Sequence, residues 1–170
     1  NKKLILNHEP LEDGIELKEW LKGFKHAYLI LNVKEEGLEN KCQAIMRQFK
    51  IDKYFFLDQS MPMLIKTVLE GNQKTAIRFS SFESLDTVIK FENLVEWIWV
   101  DFYYKYPLNK EIINILKKCN FKICLVSPEL QGKSIKEIKT AQLSISSLKN
   151  NIDAICTKYI DSWESFLEEK

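Results

Sequence analysis

Short apolar runs rich in Ile, Leu, Val, Phe and Trp recur along the chain, and each is followed by a stretch whose apolar positions fall at helical spacing. The runs predict strands over Leu4–Asn7, Ala27–Lys34, Lys53–Asp58, Thr75–Ser80, Val95–Asp101, Lys122–Ser127 and Ala154–Tyr159. The intervening stretches predict helices over Ile15–Phe24, Leu38–Phe49, Met63–Leu69, Ser84–Phe91, Asn109–Cys119 and Ile135–Lys149, with Ser162–Glu168 closing the chain. Strands that alternate with single helices indicate parallel βα units, because a parallel pair needs a crossover and the helix supplies it. The unbroken hydrophobicity of Tyr54-Phe55-Phe56-Leu57 and Trp97-Ile98-Trp99-Val100 indicates strands covered on both faces. An open doubly wound sheet and a closed (β/α) barrel both satisfy this pattern.

Polar residues gather at one end of these strands. Asn32 and Lys34 end the second, Asp58 the third, Arg78 and Ser80 the fourth, Asp101 the fifth, Ser127 and Glu129 the sixth, Thr157 and Lys158 the last. Residues two apart in a strand share a face, so Arg78 points with Ser80, and Asp101 points with Trp97 and Trp99. Solubility alone places polar groups at strand ends. The carboxyl ends are also where parallel α/β folds bind ligands, which makes this ring the candidate site. Arg78 is suited to an anion because a guanidinium engages two oxygens at once, and Asp58 and Asp101 are suited to a cation or to polyol hydroxyls.

Composition narrows the classes. The 170 residues, 45% of them hydrophobic, suffice for one well-buried core, and a single domain over 1–170 is expected. Twenty-five Lys and Arg against 24 Asp and Glu leave no field that favours nucleic acid. With five Gly the chain has neither a G-x-G-x-x-G nor a P-loop pattern, which removes nucleotide binding through those loops. The four cysteines lack metal spacing and read as reduced core thiols, consistent with a soluble cytoplasmic protein. No apolar run reaches the ~18 residues of a membrane span.

The segment Leu4-Ile5-Leu6-Asn7-His8-Glu9-Pro10 resembles the hairpin strand ending in a His-Asp-Pro-type motif of the glycerophosphodiester phosphodiesterase family, part of the phosphatidylinositol-phospholipase-like barrel superfamily. Leu29-Ile30-Leu31-Asn32-Val33-Lys34 is similar to its third-strand I-E-I-K pattern, and Ala154-Ile155-Cys156-Thr157-Lys158-Tyr159 to its closing I-I-T-D-x-P strand. The resemblance implies a (β/α)8 TIM-barrel-like fold whose first two units, with an H-R-G and an E-x-D motif, lie upstream of Asn1. It implies a phosphodiesterase acting on a small glycerol- or sugar-type phosphodiester with a divalent cation, Mg²⁺ or Ca²⁺. His8 takes the place of the general acid and Lys34 that of the phosphate-binding lysine; Glu9 falls on an acidic metal position, to which Asp58 is added as a ligand. Arg78, Asp101, Ser127 and Lys158 are the substrate-binding candidates.

Two positions depart from the family. Asn32 stands where the family has a metal-binding Glu, and Lys158 replaces an acidic residue. Both remove negative charge from the place a cation would occupy. A barrel that has lost its chemistry and binds a phosphorylated or sugar ligand is therefore a second expectation. An unrelated doubly wound signalling domain is a third.

Overall fold

The computed structural model describes residues 3–9 and 12–168. The chain divides into two compact units, Asn1–Glu70 and Gly71–Lys170, each considered by itself.

The first unit opens with an antiparallel hairpin of β1 (Ile5–Leu6) and β2 (Ile15–Glu16), and α1 (Leu17–Leu21) follows without a break. The helical spacing from Ile15 onward hid the second of these strands. Gly14 is required where the two approach, since a Cβ there would collide with the carbonyl oxygen of Leu6. Next come β3 (Leu29–Asn32), α2 (Glu39–Gln48), β4 (Tyr54–Leu57) and α3 (Met61–Leu69). Strands β3 and β4 are parallel, with Leu29 beside Tyr54 and Asn32 beside Leu57. Helix α2 buries Cys42, Ile45 and Met46, spaced three and four apart, and these close on Leu29, Leu31, Tyr54 and Phe56. Helix α3 begins two residues before the expected Met63. The Ser60 side chain caps it by accepting from the Met63 amide, and Pro62, which has no amide to satisfy, fits in the first turn.

The second unit contains β5 (Ala76–Phe79), α4 (Leu85–Ile89), β6 (Trp97–Val100), α5 (Lys110–Lys118) and β7 (Lys122–Val126). A 3₁₀ turn (Pro128–Gln131), α6 (Glu137–Ser144), a second 3₁₀ turn (Ser146–Asn151), β8 (Ala154–Cys156) and α7 (Ile160–Glu168) complete it. All four strands are parallel and lie in the order β5-β6-β7-β8. A doubly wound sheet needs a reversal of strand order, and this sheet has none. The ladders among the described residues do not close into a barrel.

The register sorts the side chains of this sheet. Arg78, Trp99, Cys124 and Ala154 lie in one row across the strands, with Ala76, Trp97 and Lys122 one pleat earlier on the same face. The opposite face carries Ile77, Phe79, Ile98, Val100, Ile123 and Leu125, all buried. One face is thus wholly apolar, and the other alternates aromatic, small and charged groups. That second face leads to the site.

Candidate functional site

Asp101 follows the last residue of β6, and its amide continues the ladder by donating to the Phe79 carbonyl at 3.1 Å. Strand alternation puts its side chain on the face of Trp97 and Trp99, where it is only 1% exposed. A buried carboxylate needs partners, and three converge on it. Arg78 Nη1 donates to Oδ2, Gln131 Nε2 donates to Oδ1 at 2.6 Å, and Trp99 adds a further hydrogen bond. Burial pushes the Asp101 carboxyl above its ordinary range, and the charge and hydrogen bond of Arg78 pull it only part of the way back. Gln131 is itself held, because its Oε1 accepts from the Phe102 amide at 2.8 Å. The 3₁₀ turn after β7 is thereby tied to the backbone that leaves β6.

Around this network lies a cavity of about 280 Å³ lined by Arg78, Trp99, Asp101, Tyr103, Leu130 and Gln131. It sits at the carboxyl ends of β5, β6 and β7, the ligand end of a parallel sheet. The Arg78 side chain is 36% exposed, lines the cavity and is paired with the buried Asp101. A fixed guanidinium beside two aromatic rings is equipped to take an anionic group attached to a ring or polyol.

A second cluster lies at the ends of β7 and β8. Glu129 accepts from the Ser127 hydroxyl, from Thr157 Oγ1 at 2.7 Å and from the Lys158 amide at 2.9 Å. Partial burial opposes its charge, but these hydrogen bonds outweigh that and hold the carboxyl below the usual glutamate range. Ser127 is completely buried and also accepts from Trp163 Nε1 at 2.8 Å, so its hydroxyl is engaged inside the fold. Lys158 meets the cluster through its backbone, and its side chain is exposed. Of the four substrate-binding candidates, Arg78 and Asp101 therefore share the cavity, while Ser127 and Lys158 belong to the neighbouring cluster.

The remaining candidates lie in the first unit. His8 and Glu9 occupy the turn of the β1–β2 hairpin, with His8 Nδ1 3.0 Å from Glu9 Oε1 and the imidazole 90% exposed. Pro10, the last residue of that motif, lies outside the described residues. Lys34 is exposed just beyond β3. Asp58 follows β4 with a φ of 63°, a left-handed conformation that Asp tolerates, and accepts from Asn32 Nδ2 at 2.6 Å. The amide of Asn32 thus supplies to Asp58 a donor where the family pattern would offer a second carboxylate. Among the described residues no group of three His, Cys, Asp or Glu side chains is placed to hold a metal ion. The expected donor set for a divalent cation is not assembled by these residues.

Sequence reasoning passed over Gln131, which completes the cavity, and Glu39 of α2. Glu39 is 3% exposed and accepts from the Gly37 amide at 2.9 Å and from Gln59 Nε2 at 3.1 Å. The segment Pro128-Glu129-Leu130-Gln131-Gly132 carried a signal for the first, since Pro suits the start of a helical turn and Gly132, with φ 73°, ends it. Among the described residues no helix is long and apolar enough to cross a membrane. No family model matches the chain, and no curated protein or solved structure is found to be similar to it.

Proposed function

We propose that the strand–helix units of this chain are of the (β/α)-barrel type and that the second of its two compact units binds a small phosphorylated polyol or sugar in the cavity at the carboxyl ends of β5, β6 and β7. The observation that carries this reading is the Arg78–Asp101–Gln131 network. A carboxylate only 1% exposed serves no purpose in solubility, and its effect is to hold a guanidinium in one orientation at a concave surface. The sequential parallel order of β5 to β8 supports the barrel-like part, since each crossover advances in the same direction around the sheet. Trp99 and Tyr103 supply ring faces for the carbon skeleton, and Arg78 supplies the charge for the phosphate oxygens.

Calorimetric titration with orthophosphate, glycerol phosphate, hexose phosphates and their unphosphorylated counterparts tests the proposal. Binding is expected for the phosphorylated members only. Arg78→Met should weaken it by about ten- to a hundredfold, the value of one charge-assisted hydrogen-bond set. Absence of binding across the panel, or an Arg78→Met protein that binds as well as the wild type, would overturn the reading.

Phosphodiester hydrolysis is the second reading, favoured by the His8–Glu9 pair on an antiparallel hairpin. With Nδ1 engaged by the Glu9 carboxylate, Nε2 is the ring nitrogen of His8 left to give a proton to a departing alkoxide. Adding glycerophosphodiesters to the same panel and following alcohol release decides it. Turnover that disappears in His8→Ala supports hydrolysis, and no turnover removes it.

A further inference from the structure

The loops that follow β5 and β6 carry three neighbouring aromatic rings, one of which, Tyr103, lines the cavity. Phe82 is 70% exposed and Tyr104 is 74% exposed, yet neither is loose on the surface. Phe82 lies 5.6 Å from the Tyr103 ring at an interplanar angle of 64°, and 6.1 Å from the Tyr104 ring at 54°. Its loop is pinned from below, because buried Ser80 accepts from the Phe82 amide at 3.0 Å and donates to Glu83. Lys133, beyond the 3₁₀ turn, places its ammonium 5.6 Å from the centre of the Tyr104 ring. Single exposed apolar side chains are ordinary and need no explanation. Three rings brought together from two loops, with a fixed backbone beneath them, form an organised surface. Tyr103 joins that surface to the cavity, since it both lines the cavity and touches Phe82.

We propose that Phe82, Tyr103 and Tyr104 form a subsite for an aryl substituent on the ligand whose anionic group is held at Arg78, an inference that rests on the ligand-binding reading above. The inclined rings offer both faces and edges, which is what offset-stacked and edge-to-face aromatic pairing needs. Lys133 adds a cation at the rim and so favours a substituent that remains attached to an anion. The ligand class is accordingly narrowed to a phosphorylated polyol or sugar that also carries an aryl substituent, which should bind more tightly than orthophosphate or an unsubstituted polyol phosphate.

Calorimetry with orthophosphate, phenyl phosphate and cyclohexyl phosphate on the whole chain, wild type and Phe82→Ala, tests the subsite. Circular dichroism should show that Phe82→Ala is folded, because so exposed a ring contributes little to the core. Phenyl phosphate is expected to bind the wild type about tenfold more tightly than orthophosphate, the scale of one ring-stacking contact. Phe82→Ala should abolish that preference while leaving orthophosphate binding unchanged. If orthophosphate binds and phenyl phosphate binds no better, or if Phe82→Ala weakens both alike, the subsite is refuted and the Arg78 site stands. If no phosphate binds, the Arg78 site is refuted and the subsite falls with it. Binding to phosphatidylcholine–phosphatidylserine vesicles that is lost in Phe82→Ala, without any aryl preference, overturns the proposal in favour of a membrane contact.

Discussion

Replacing Glu129 tests the reasoning at the ends of β7 and β8 most directly, because three donors converge on one carboxylate there. A hydrogen bond to a charged acceptor contributes about 1.5–3 kcal/mol when buried. Glu129 is only half-buried, so solvent screening reduces each to about 1 kcal/mol or less. Glu129→Ala should therefore destabilise the fold by about 2–3 kcal/mol, which for a domain of this size lowers Tm by roughly 10 °C. Glu129→Gln keeps an acceptor oxygen and loses the charge, and about half that effect is expected. The pH dependence has a definite sign. The hydrogen bonds depress the folded-state pKa below the ordinary value of 4.5, so the contribution is fully present above about pH 4.5 and is lost as pH falls through the folded pKa. Asp101 has the opposite sign: burial raises its pKa above 3.8, and stability falls as pH rises from there through the folded value. Comparing wild type with Glu129→Gln cancels that second contribution. Thermal melts between pH 7 and pH 3 should show a Tm gap that is wide at neutrality and narrows below pH 4.5. A Glu129→Ala protein within 1 °C of wild type at pH 7, or a gap that stays constant into acid, would refute the account.

Two further predictions concern the scaffold. Asn109 Oδ1 accepts from the Ile112 amide at 2.8 Å at the start of α5, so Asn109→Ala should cost about 1 kcal/mol in urea unfolding. Asn109→Asp should be at least as stable as wild type, because a negative charge suits a helix N-terminus; a loss equal to that of Ala would contradict the cap. Burial, with Glu39 adding to it, pushes the Cys42 thiol up to about 11. At pH 8 its thiolate fraction falls roughly a hundredfold below that of an ordinary thiol, and iodoacetamide labelling followed by mass spectrometry should be slower in the native than in the denatured protein by at least that factor.

The regular elements were legible because their causes are local. The run Tyr54-Phe55-Phe56-Leu57 ends at Asp58 and is a strand over just those residues, and the Cys42, Ile45 and Met46 spacing reports the buried stripe of α2 directly. Strand β2 was not legible. Ile15 and Glu16 adopt extended backbone because β1 pairs with them across the hairpin, and a helical window cannot register the partners Leu6 and Ile5 on the preceding strand. The site divides in the same way. Alternation along a strand puts Arg78 and Asp101 on one face, and the strand ends mark both as candidates. Gln131 lies in a short 3₁₀ turn, and its role follows only from bonds to Asp101 and Phe102, about thirty residues back in the chain. The burial of Ser127 is equally remote in cause, since it depends on Trp163 in the last helix.

The two carboxylate clusters show why polarity at a strand end does not by itself identify a ligand site. Glu129 and Asp101 both gather three donors, yet the donors differ in kind. Those of Glu129 are two hydroxyls and a backbone amide, all neutral, and the depressed pKa shows that the carboxylate is what the surroundings stabilise. Such a cluster ties the ends of β7 and β8 together and uses the acceptor positions of the carboxylate within the fold. Asp101 is more deeply buried, its pKa is raised, and its principal partner is a guanidinium that reaches a cavity. The fold there accepts an unfavourable burial of charge in order to fix a cation at a concave surface. That asymmetry supports our proposal that Arg78 is the residue that reads an anionic ligand, with Glu129 belonging to the scaffold.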